Sequence, residues 1–236
     1  MDEKREIYTS FHDIPVREYM YIPKGSPKVE KPGKFSRVEI IHISISILVL
    51  TVAFSFWLSG GLIAYSDLSL IPKSIPYAFA GVFTGFFFHE MSHKLMAQKF
   101  GLWAEYRLFP LGLILALGLA IFTGIVFAAP GAVMFMGGSR HHETGKIAIA
   151  GPLSNIIIAY ISFPLFYFIF FETQFGALFG FICLINALLA FVNLLPFGPL
   201  DGVKIVKWNP TIWLLLFIPA ITILFIIWQK FTPIFY

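Results

Sequence analysis

Six apolar runs, at about 40–64, 75–98, 111–129, 147–171, 175–197 and 211–229, dominate this chain and decide the solvent in which it folds. A bilayer-crossing helix needs about 20 mostly apolar residues, so a simple count gives six spans. The composition agrees: 13% of the residues are charged, against about a quarter in a soluble domain. The chain therefore reads as an all-α polytopic membrane protein with the lipid bilayer as its surroundings. Its net charge of +4 needs no nucleic-acid partner, because the lysines and arginines cluster beside the apolar runs as orientation signals do. A single cysteine, Cys183, excludes an intrachain disulfide framework and any cysteine-based zinc site.

Residues 1–39 carry eight Lys/Arg and seven Asp/Glu with several prolines. They read as a cytoplasmic arm with a proline-rich linker. The third apolar run, LGLILALGLAIFTGIVFAAPG, opens after Pro110 and closes at Pro130-Gly131. Such punctuation suits a re-entrant segment as well as a helix. If the run returns to its own side, one membrane face receives the arm with Lys94, Lys99, Arg107, Arg140, Lys146, Lys204 and Lys207. The other face keeps Lys73 and Lys230. That asymmetry follows the positive-inside rule and predicts five full spans with one re-entrant element. The plasma membrane, with the arm in the cytoplasm, is the expected location.

The second run contains HEMSH, residues 89–93. Ionisable groups inside a membrane helix are expensive and mark function. His89 and His93 lie four apart, on one helix face about 6 Å from one another, a spacing that lets two imidazoles ligate one zinc ion. Glu90 sits beside them, placed to act on a water in the metal's open position. A catalytic zinc wants three protein ligands and one open position. Asp201, in NLLPFGPLDG, follows the fifth run where Pro196, Gly198 and Pro199 break the helix. His141 and His142 in GGSRHHETGK are the alternative ligands, although charge and glycine around them favour a solvated loop. Asn155, in AGPLSN, opens the fourth run after a Gly151-Pro152 helix start. It reads either as interhelical glue or as an amide that holds substrate backbone or a developing oxyanion. Gly81 and Gly85 have the spacing of close helix packing.

HEMSH, GPLSN and NLLPFGPLDG, in this order over roughly residues 75–207, resemble the site-2 protease family of intramembrane zinc metalloproteases, in particular its small prokaryotic members without PDZ or CBS domains. The resemblance implies one Zn2+ per chain held by His89, His93 and Asp201, with Glu90 as base and acid and Asn155 assisting substrate or transition state. It implies a three-helix catalytic core spanning 75–207 with a small membrane-associated sheet. The residue pattern itself adds a first transmembrane helix over 40–64, a re-entrant or β segment within 103–140 and a C-terminal transmembrane helix over 208–236. The substrate it implies is a membrane-spanning segment of another protein, cut within or near the bilayer. Two other functions use the same residues: a metal-ion transporter, which needs the ligands but no base, and a silent membrane scaffold. The oligomeric state is not legible in the sequence.

Overall fold

A computed structural model describes residues 34–59, 69–126, 130–136 and 141–231. Most of the charged N-terminal arm, Arg140 and Tyr236 lie outside the described residues. Helix α1 (Arg37–Leu58) begins inside the stretch expected to be arm, because Ser36 caps it by accepting from the Glu39 amide at 3.1 Å. Helix α2 (Leu70–Val82), a π-helical turn (Phe83–Phe87) and helix α3 (Phe88–Lys99) then follow one another without a break. Strand β1 (Trp103–Leu108), helix α4 (Pro110–Thr123) and strand β2 (Gly131–Met136) come next. The chain continues with α5 (His141–Pro164), α6 (Gln174–Asn193), the short α7 (Asp201–Trp208) and α8 (Pro210–Phe231). The protein is a polytopic helical membrane protein with a small two-stranded sheet.

Four described helices are long and apolar enough to cross a membrane: Arg37–Leu58, His141–Ile169, Gln174–Asn193 and Pro210–Phe231. The continuous helical stretch 70–99 is long enough but less apolar, because it carries the HEMSH segment. Among the four, the Gln174–Asn193 window is the most enclosed by protein at 56% buried, and Pro210–Phe231 the least at 17%. The last helix therefore lies at the periphery. Gly81 and Gly85 do pack α2 and its π turn onto α6: a Cβ at either would press on Ile185, with Phe181 or Leu189 beside it.

Strand pairing settles the course of the third apolar run. Helix α4 has 14 residues, a rise of about 21 Å against a hydrocarbon core of roughly 30 Å. It ends at Gly124, whose left-handed φ of 68° a residue with a Cβ adopts at a cost. β1 and β2 then pair antiparallel, with Leu108 opposite Gly131, and the Phe109 amide donates to the Pro130 carbonyl at 2.8 Å. The run leaves and returns at one place, so it does not cross. It is an excursion at the tip of a β-hairpin.

Two expectations need correction. Gly151-Pro152 lies inside α5, which begins at His141, rather than at a helix start. Proline is tolerated within membrane helices because neighbouring groups take up the freed backbone. Lys94, counted as an orientation signal, is fully buried in an ion pair with Glu39, and Arg107 is buried against Glu105. In the folded protein both cations face a carboxylate inside the structure rather than water or lipid headgroups.

Candidate active site

The site grows from one face of α3. His89 and His93, one turn apart, direct their Nε2 atoms to a common point, 3.0 Å from each other. Asp201, the first residue of α7, brings Oδ2 to 2.9 Å from His93 Nε2 and 3.4 Å from His89 Nε2. All three residues are buried. The sequence candidates His89, His93 and Asp201 thus meet, and they form the one group of this kind among the described residues. His141 and His142 do not join it. They occupy the first turn of α5, where His141 Nε2 pairs with the Lys207 carbonyl at 3.2 Å.

Hydrogen bonds behind the imidazoles decide their tautomers. His89 Nδ1 meets Asn155 Oδ1 at 2.6 Å, and His93 Nδ1 meets the Ile147 carbonyl at 2.7 Å. Both partners are acceptors, so each Nδ1 carries the proton and each Nε2 presents a lone pair. Two lone pairs and a carboxylate oxygen converging at about 3 Å repel unless a cation lies among them. Ligands about 2.0–2.1 Å from a tetrahedral zinc ion are roughly 3.3–3.4 Å apart, close to the separations here. The donor set therefore fits zinc, with the histidines oriented from behind in the usual manner of metal ligands.

The surroundings are shaped to let α5 come close. A Cβ on Gly151 would overlap both imidazole rings, so glycine is required at this crossing. Asn155 differs from the expectation that it faces substrate. It is fully buried, its Oδ1 serves His89, and its Nδ2 donates to the Gly85 carbonyl at 2.8 Å and to Asn186 Oδ1 at 2.9 Å. No amide hydrogen is left over for an oxyanion. Its contacts make it a positioning residue for His89.

Asn186 escaped the sequence reading. It lies in the middle of apolar α6, and its Nδ2 donates to Thr84 Oγ1 at 3.0 Å and to the Ile182 carbonyl at 2.9 Å. A lone asparagine in an apolar run was the available clue. The Trp213 Nε1–H donates to the Leu194 carbonyl at 2.6 Å, tying α8 to the bend that delivers Asp201. Lys204, one turn along α7, reaches Asp201 Oδ1 at 3.3 Å and leaves Oδ2 for the metal position.

Glu90 points elsewhere on α3. Its Oε2 accepts from the Val133 amide of β2 at 2.9 Å. Val133 is opposite Tyr106 in the ladder, and this bond shows that its N–H faces away from β1. Strand alternation then turns the backbone groups of Gly131, Val133 and Phe135 to the outer edge of β2. Among the described residues no further strand pairs with this edge, which Glu90 meets at Val133.

Two relatives cover most of this architecture. Putative zinc metalloprotease MJ0611 of Methanocaldococcus jannaschii is 38% identical over 198 residues, 80% of this chain and 93% of that protein. The chain belongs to the site-2 protease family of zinc metalloproteases. Putative zinc metalloprotease YwhC of Bacillus subtilis is 31% identical over 164 residues, 61% of this chain and 71% of its own length. No family model matches the chain, and no solved structure matches it. For this family member, a buried His-His-Asp cluster beside a glutamate is the candidate centre.

Proposed function

We propose that the protein is an intramembrane zinc endopeptidase that hydrolyses peptide bonds within or near transmembrane segments of other proteins. The convergence of His89 Nε2, His93 Nε2 and Asp201 Oδ2 in a bundle of membrane helices is the observation that carries this reading. His89, His93 and Asp201 would hold the zinc. When bound, zinc supplies Lewis acidity, polarising a carbonyl and acidifying water at its open position.

The chain's own groups do the rest. The Glu90 carboxylate takes the proton of the attacking water and hands it to the leaving amine. Asn155 and the Ile147 carbonyl keep both imidazoles in the tautomer that leaves Nε2 bare. A peptide bond within a helix is shielded and internally bonded, so the substrate must unwind before attack. The outer edge of β2 runs past Glu90 and offers backbone groups to an extended segment by strand addition. Lys99, Lys146, Lys204 and Lys207 flank the end of the bundle that holds the site, whereas Lys73 and Lys230 line a cleft at the other end. That bias supports a site opening towards the cytoplasm.

The deciding comparison is Glu90→Gln against wild type in liposomes holding a membrane-anchored reporter substrate. The variant should retain zinc and lose cleavage. Cleavage that survives Glu90→Gln rules out this mechanism. Zinc flux across the same liposomes, undiminished by the substitution, would favour the transporter reading instead.

A further inference from the structure

A second polar cluster lies on the opposite side of the sheet from Glu90. Glu39 of α1 and Lys94 of α3 are both fully buried and ion-paired. The other oxygen of Glu39, Oε1, accepts from the Tyr106 amide of β1 at 2.9 Å. Tyr106 is the ladder partner of Val133, whose amide donates to Glu90. Around the cluster, Ser36 Oγ donates to Glu105 Oε2 at 3.1 Å, Arg107 pairs with Glu105, and the Tyr106 hydroxyl meets Ser46 Oγ at 2.9 Å.

These bonds close a circuit. It runs from Glu90 to Val133, across the ladder to Tyr106, on to Glu39, and through Lys94 back to α3. Glu90 and Lys94 are one helical turn apart, so they share a face. The two-stranded sheet is therefore gripped at both outer edges by glutamates, each anchored to the helix that carries both histidines. A two-stranded sheet is marginal by itself, and this one must hold its free edge in register with Glu90.

We propose that Glu39 and Lys94 are positioning residues that set the height of the β2 edge against Glu90, and so place an extended substrate strand over the metal site. The inference rests on the peptidase reading of that site. A buried ion pair need not stabilise a fold better than apolar residues of similar volume, so stability alone does not account for placing one here.

Two double variants separate positioning from folding. Glu39→Lys with Lys94→Glu keeps an ion pair between α1 and α3 but removes the acceptor for the Tyr106 amide. Glu39→Gln with Lys94→Met keeps that acceptor, removes both charges and cuts the tie to α3. Each is assayed for zinc content, hydrogen–deuterium exchange across residues 131–136, and KM and kcat on the reporter substrate. Both should retain zinc, lose amide protection in β2, and raise KM roughly tenfold with kcat within about twofold. Wild-type protection and wild-type KM in whichever double variant folds would overturn the proposal. Exchange is read without catalysis. Lost protection in the variants of a protein whose wild type cuts nothing would leave the grip on the sheet standing and break the peptidase reading alone.

Discussion

Helix α3 carries two interleaved pairs at the same spacing, His89 with His93 and Glu90 with Lys94, about 100° apart around the axis. The histidine pair faces α5 and α7, where every partner it meets is an acceptor or another lone pair. The glutamate–lysine pair faces the sheet and its far side, where donors and acceptors match: Glu90 takes an amide, and Lys94 takes a carboxylate. In the first, lone pairs converge on one point; in the second, each of these bonds joins a donor to an acceptor. Buried polar groups thus divide by what their partners leave over, not by how polar they are.

The comparison is broken most severely at the metal side. Asp201→Ala should lower zinc affinity by more than about 100-fold, since it removes one of three ligands rather than a supporting bond. Zinc analysis of the purified protein, with unchanged content in the variant, would dismiss Asp201 as a ligand. On the closed side, Lys94→Met strands a buried carboxylate. It should cost about 3–5 kcal/mol in unfolding free energy, measured by denaturation in detergent, while the folded fraction still binds zinc. If the two clusters are separate, the first variant changes metal affinity and the second changes stability.

Smaller effects sharpen the boundary between them. Asn155→Leu removes the acceptor behind His89 and should weaken zinc binding by about 10–100-fold. An oxyanion role predicts the reverse pattern, with zinc affinity intact and only kcat reduced, so a metal titration alongside kinetics decides. Trp213→Phe deletes the bond to the Leu194 carbonyl. The expected loss is about 1 kcal/mol of stability, with zinc affinity falling less than in Asn155→Leu; an equal fall would make the Asp201 bend as important as the imidazole support.

Much of the metal cluster was legible because its chemistry is local and rare. Two histidines at i and i+4 are set by helical period, and a membrane context gives bare ionisable groups few other uses. Asn155 was singled out correctly as a polar group to explain, yet its direction was not legible. Whether an amide faces substrate or an imidazole depends on the rotation of α5 against α3, across 66 residues of sequence. The Glu39–Lys94 pair was missed for a related reason. Glu39 sits in the first turn of α1 and Lys94 five residues before the end of α3, where a long cationic side chain normally reaches water; only the hairpin packed over them encloses the pair.

The sequence by itself determined a helical membrane protein with a histidine pair, a neighbouring glutamate and a broken helix bearing an aspartate. Those features follow from composition, from the 3.6-residue period and from the conformational limits of proline and glycine. The tertiary structure decided that the third apolar run returns, that Asp201 rather than His141 or His142 completes the cluster, and that the β2 edge passes Glu90. Each of these is a pairing between segments far apart in the chain. Local propensity has no hold on such pairings: they are selected by which buried donors, acceptors and surfaces can satisfy one another at once.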